Sequence, residues 1–118
     1  MIIHGKDIRF RLTTGASGEI ADLCPNRDIN RIAEMLSGAF GDSVRVCDKF
    51  CVILNKWYVR AEKFAGRKAD SLEEGEILVL DPAEYNQVMR EAMSAFAGDS
   101  AQTVEVKATK KAEEGESN

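Results

Sequence analysis

The stretch SVRVCDKFCVILNKWYVRAEKFA, residues 43–65, decides how this chain folds. Cys47, Phe50, Leu54, Trp57, Ala61 and Phe64 step along it by three and four, the spacing that lines side chains up on one helical stripe. The pattern predicts a helix over 43–65, opened by Asp42 or Ser43. Val46, Val52, Ile53 and Val59 fall off the stripe, so this helix is apolar on more than one side. Such a helix is either central to its fold or half-covered by another copy of the protein. The β-branched pair Val52-Ile53 leaves a strand over 50–54 as the alternative.

Working outward, residues 1–12 read as a β-hairpin turning at Gly5-Lys6, with the glycine suited to a type II′ turn. That register sets Ile3 opposite Ile8 and Met1 opposite Phe10. Met1, Ile3, Ile8, Phe10 and Leu12 then share an apolar face, with Asp7, Arg9 and Arg11 on the other. Thr13 or Thr14 caps a helix over about 15–24, with Ala16, Ile20 and Leu23 inward, ending at Cys24-Pro25. Asp28 caps another over 29–40 whose inward residues are Ile29, Ile32, Ala33, Leu36 and Phe40, with Gly41 as its stop. Residues 66–76 form a polar connection, and Ile77-Leu78-Val79-Leu80 returns the chain to the core. Asp81-Pro82 starts a last helix over 82–97, carrying the stripe Tyr85, Val88, Met89, Ala92, Met93 and Phe96 up to Gly98. The expected fold is α+β, mainly α: an N-terminal β-hairpin packed on a bundle of about four helices. It makes one globular domain over 1–97, with a flexible polar tail over 98–118.

Composition narrows the function. With 118 residues, 44% hydrophobic and 31% charged, the chain has enough apolar material for one core. Its net charge of −4, with 16 basic residues interspersed among 20 acidic ones, argues against nucleic acid as a partner. No apolar run approaches the roughly 20 residues that cross a bilayer, and Lys6, Asp7 and Arg9 interrupt any N-terminal signal segment. Three cysteines, an odd number, fit a reducing compartment, so the expected location is the cytoplasm.

Candidate chemistry is sparse. His4 is the only histidine, so any catalytic triad has to use it, and its place beside a tight turn fits a surface residue pairing with Asp7. Cys47 and Cys51 at i, i+4 share a helical face, but no paired zinc-ligand spacing accompanies them, and buried apolar thiols are the better account. Thr14-Gly15-Ala16-Ser17-Gly18 lacks the Gly-Lys-Ser/Thr ending of a phosphate loop and reads as a helix-start turn. Glu73, Glu74 and Glu76 read as a solvated linker. No catalytic residue, cofactor site or metal site is expected. The binding residues singled out are Val52, Tyr58 and Val59, which lie off the main stripe; Trp57, Tyr58 and Phe64 carry the aromatic-anchor hypothesis, with Trp57 weighed against a core role, and Tyr85 and Met89 are read as core.

Four segments in order carry a resemblance: Ile3-His4-Gly5-Lys6-Asp7-Ile8-Arg9-Phe10, then Glu19-Ile20-Ala21-Asp22-Leu23-Cys24-Pro25, then Asp28-Ile29-Asn30-Arg31-Ile32-Ala33-Glu34-Met35-Leu36, then the lysine-bearing polar tail. Together the chain resembles the tail assembly chaperones of long-tailed bacteriophages and prophages. The resemblance implies a non-enzymatic chaperone of the host bacterial cytoplasm that binds the tape measure protein and tail tube subunits during virion assembly. It also implies a longer frameshifted form, for which Lys110-Lys111 marks a candidate slippery site. A homo-oligomer is expected from the surplus apolar surface of the 43–65 helix. The alternative is a small cytoplasmic regulatory or structural subunit using that helix as a permanent interface.

Overall fold

A computed structural model describes residues 1–38 and 40–98; the tail expected over 98–118 lies, beyond Gly98, outside the described residues. Two short antiparallel strands, β1 (Ile2–Ile3) and β2 (Lys6–Asp7), precede four α-helices: α1 (Thr14–Ala21), α2 (Ile32–Leu36), α3 (Phe40–Phe64) and α4 (Pro82–Ala97). Short 3₁₀ turns occupy Pro25–Arg27, Ile29–Arg31 and Glu76–Val79. The expected α+β, mainly helical architecture is the one observed.

The hairpin turns one residue earlier than expected. His4 and Gly5 both have positive φ, 50° and 79°, which is the type I′ pattern and not the type II′ turn expected at Gly5-Lys6. Ile3 therefore faces Lys6, and Ile2 faces Asp7. Relative to the expected pairing, the partner of Ile3 moves by two residues, from Ile8 to Lys6. Because side chains alternate with a period of two, a shift of two leaves every residue on its original face. Ile3 and Ile8 are buried, with Met1, Phe10 and Leu12 packed partly against the core, while Ile2 stands exposed.

Helix α1 is capped by Thr13, whose hydroxyl accepts from the Ala16 N–H at 3.1 Å. It is shorter than the expected 15–24, because the chain leaves the helix at Asp22 and is extended at Cys24, before Pro25. Ala16 and Ile20 are buried as expected, and Leu23 partly so. The helix expected over 29–40 divides. Asp28 caps a 3₁₀ turn, α2 covers only Ile32–Leu36, and Ser37 closes it by bonding back to the Ala33 carbonyl through its hydroxyl at 2.7 Å. Phe40 and Gly41 belong to the first turn of α3, so Gly41 is not a stop, and Ala33 is exposed.

Helix α3 runs unbroken through 50–54, which removes the strand alternative. At 25 residues it is about 38 Å long and outreaches the helices beside it. It packs against α1, α2 and α4. Cys47, Phe50, Cys51, Ile53 and Leu54 are buried, and Phe50 meets Phe96 of α4 edge to face, ring centroids 5.4 Å apart. Trp57 is half-buried. One face of its indole lies on the backbone of Gly15, where an added Cβ would sit 2.4–2.6 Å from the ring, and Arg60 covers the indole at 4.8 Å. Of the two glycines that superficially suggest a phosphate loop, Gly15 is a contact surface within α1, while Gly18 meets nothing within 4 Å. Phe64 departs from expectation: its side chain is 92% exposed, because the end of α3 overhangs the core.

The 66–76 connection is no solvated linker in its second half. Asn55, 1% exposed inside α3, donates to the carbonyls of Arg9 (3.0 Å) and Asp70 (3.3 Å) and accepts from the Leu72 N–H at 2.7 Å. One turn pair back along α3, buried Asp48 accepts the Gly75 N–H with both oxygens, at 3.1 and 3.0 Å. The strap runs antiparallel to the helix: Leu72 meets Asn55, and after a turn closed by the Glu76 N–H donating to the Glu73 carbonyl at 3.1 Å, left-handed Gly75 meets Asp48. Its outer side is tied to the hairpin by the Lys6–Glu76 ion pair and by the Asp7 N–H donating to Asp70 at 2.9 Å.

Replacing Asn55 tests this strap. Asn55→Ala strands one buried N–H and two carbonyls and is expected to cost about 1–3 kcal/mol in urea unfolding. Asn55→Asp, whose carboxylate faces those two carbonyls, is expected to cost more at pH 7 and to recover part of the loss in acid; equal stability of the two variants at pH 7 contradicts the geometry.

Candidate partner-binding surface

Titratable groups with catalytic potential are engaged in structure. The exposed His4 ring bonds the Glu76 carbonyl at 3.1 Å and not Asp7, which instead pairs with Arg9 at 3.1 Å. Cys24, Cys47 and Cys51 are buried free thiols, and burial pushes each of them up from the ordinary thiol range, away from the reactive thiolate. Cys51 contacts the Met89 sulfur at 3.5 Å, the Cys47 thiol donates to the Leu36 carbonyl at 3.7 Å, and burial likewise raises the pKa of Tyr85. Among the described residues no group of three or more His, Cys, Asp or Glu side chains is placed to hold a metal ion. No helix among them is long and apolar enough to cross a membrane.

Glu76 differs from its neighbours Glu73 and Glu74. Its carboxylate takes the Lys6 ammonium and the Glu73 N–H, which together hold its pKa below the usual carboxylate range. Asp48 is shifted the other way: burial pushes its carboxyl up, opposed by the Gly75 N–H and reinforced by Glu74.

The surface that remains is apolar and lies at the acidic strap's far end. From Gly75, held by Asp48, the chain enters the Glu76–Val79 turn, which buries Ile77 and turns its neighbours outward: Leu78 is 43% exposed and Val79 73%. Asp81 then caps α4, accepting the Glu84 N–H at 3.0 Å, and Pro82 occupies the first helical position. Two shallow grooves meet at Tyr85. One, about 310 Å³, runs between Val44 of α3 and Leu78, Leu80 and Pro82. The other, about 420 Å³, runs between α2, α3 and α4 past Leu36, Cys47, Met89 and Met93. Both include Val44, Tyr85 and Asn86, so they form one strip. Two further depressions are polar and carry the Asp7–Arg9 pair.

The sequence-based binding residues lie elsewhere. Val52 packs against the core cluster, and Val59 is half-buried. Tyr58, also half-buried, borders a polar depression with Arg9, Lys68 and Asp70. Tyr85 and Met89, read from the sequence as core, are half-buried and line the strip. Leu78 and Val79 were missed: a four-residue apolar run signals return to the core, and only the 3₁₀ geometry shows which two of its members turn outward. Asp48 and Asn55 left a readable trace, two short polar residues seven apart beside the apolar stripe of Cys47, Cys51 and Leu54.

Comparison with known proteins returned no match to any family model, curated protein or solved structure.

Asp48 gives a pH test. A raised native pKa means the folded protein holds this proton more tightly than the unfolded chain does. Its contribution to stability is complete below the unfolded value of about 3.9 and is lost as pH rises through the folded value. Asp48→Asn keeps an oxygen for Gly75 without the buried charge. It is expected to melt above wild type at pH 7, with the gap narrowing toward pH 3 in calorimetric scans; a gap that widens in acid contradicts the assignment.

Proposed function

We propose that this protein is a non-enzymatic tail assembly chaperone of a long-tailed phage or prophage, acting in the host bacterial cytoplasm on the tape measure protein and tail tube subunits. The observation that carries the reading is the apolar strip around Tyr85, with Leu78 and Val79 turned to solvent. A chaperone that shields hydrophobic helices before assembly needs apolar surface of its own, rimmed by polar groups and held on a stable scaffold. The order of the sequence segments that resemble tail assembly chaperones adds independent support.

Co-expression with a fragment of a tape measure protein tests the proposal. The fragment is expected to stay soluble and co-purify with this chain, and to precipitate without it; precipitation in both cases overturns the reading.

Self-association through the Val52, Tyr58 and Val59 region is a second part of the proposal, resting on the half-burial of Tyr58 and Val59. Light scattering of the wild type is expected to give an oligomer, and Tyr58→Asp with Val59→Asp a monomer that retains helical circular dichroism. An unchanged mass places any interface elsewhere.

A further inference from the structure

We propose that the strip flanking Tyr85 is a docking groove for an amphipathic helix that carries lysine or arginine beside its apolar face. This inference deepens the chaperone reading and rests on it for biological meaning, but the recognition chemistry comes from the groove.

The apolar half of the argument is the strip itself. Leu78 lines one end, with Val79 exposed next to it in sequence, Met93 is 37% exposed at the other, and Val44, Tyr85 and Met89 line the strip between them. From Pro82 to Met93 the α4 axis covers about 16 Å, three helical turns. An amphipathic helix of about 14 residues presents apolar side chains at i, i+3, i+4 and i+7 over that length, which suits a trough bounded by α2, α3 and α4.

The charge around it selects the partner. Residues 69–89, which form the strap, the outward turn and most of the strip's α4 wall, contain six acids and no lysine or arginine: Asp70, Glu73, Glu74, Glu76, Asp81 and Glu84. Three of these are committed to the fold: Glu76 to Lys6, Asp70 to the Asp7 N–H and Asp81 to the helix cap. Glu73, Glu74 and Glu84 are exposed and make no ion pair among the described residues. They cluster in sequence on either side of Leu78-Val79. Exposed bases on the flanking helices, Arg45 and Lys49 of α3 and Arg90 of α4, moderate this field, and Arg90 belongs to the Met89–Met93 end. The partner's basic residues accordingly belong over the Leu78–Val79 end. Complementary charge of this kind sets orientation and association rate more than affinity, and it weakens with salt.

The test uses the full chain and two labelled 14-residue helical peptides with the same leucine pattern, one with lysines and one with glutamates on the flanks, followed by fluorescence anisotropy. The lysine peptide is expected to bind at least tenfold tighter than its twin at low salt, with the ratio shrinking at high salt. Leu78→Ser with Val79→Asp, both at exposed positions, is expected to weaken it at least tenfold without changing the melting temperature. Glu74→Lys with Glu84→Lys is expected to reverse the preference, whereas Phe64→Ser leaves it unchanged. Equal binding of the twins, or full binding by the Leu78/Val79 variant, overturns the proposal. So does displacement by a peptide of residues 99–118, which assigns the groove to the chain's own end, or conversion of an oligomer to a monomer by the Leu78/Val79 change, which assigns it to a second copy. If the peptides fail while a tape measure fragment stays soluble, the groove is wrong and the chaperone stands; the converse result sinks the chaperone and keeps the groove.

Discussion

The Asn55 carboxamide, buried in the middle of α3, is the interaction on which the arrangement depends. It gives up contact with water and in return bonds three backbone groups from two segments that are distant in sequence, at Arg9 and at Asp70 and Leu72. In a low-dielectric interior each of these bonds is strong, and each unpaired partner would be costly. The amide therefore fixes the hairpin extension and the strap against one point of the helix. Asp48 repeats the device seven residues earlier, at the cost of a buried carboxylate that the Gly75 N–H faces.

That strap explains how a short chain covers an unusually apolar helix. Part of the surplus on α3 is met within the chain: α1 and its Gly15 take Trp57, α4 takes Phe50 through Phe96, and the strap contributes buried Leu72. Trp57 is further held by its indole N–H donating to Glu19 at 3.1 Å, with Lys56 on the same carboxylate. What stays uncovered, besides Phe64, is the end where Asp48 holds Gly75 and, past buried Ile77, Leu78 and Val79 turn outward. The exposure of Leu78 and Val79 thus follows from how the strap is anchored, and it lies beside the acids that the strap itself carries in sequence. The three thiols are buried, and the exposed imidazole bonds the Glu76 carbonyl.

Much of this was legible in the residues. Periodicity placed α3 and α4 to within a few positions, and Asp81-Pro82 with Gly98 set both ends of α4, because caps and breakers act over a single turn. The apolar face of the hairpin was readable although its turn was not, since a two-residue shift preserves the face. The break in the 29–40 helix was not readable: Ser37 can sit inside a helix or close one, and local spacing does not say which. Nor was the exposure of Phe64, which continues the stripe faithfully and fails because no described residue covers it.

By itself, then, the sequence determined the helical elements, the inward face of the hairpin and the need for a core around α3, all of which follow from spacing and short-range capping. Only the tertiary structure decided which apolar residues stay outside and what Asn55 and Asp48 are for. Those outcomes depend on where segments separated by tens of residues meet, and a hydrogen bond between a helix side chain and a remote backbone leaves no periodic mark in the chain that makes it.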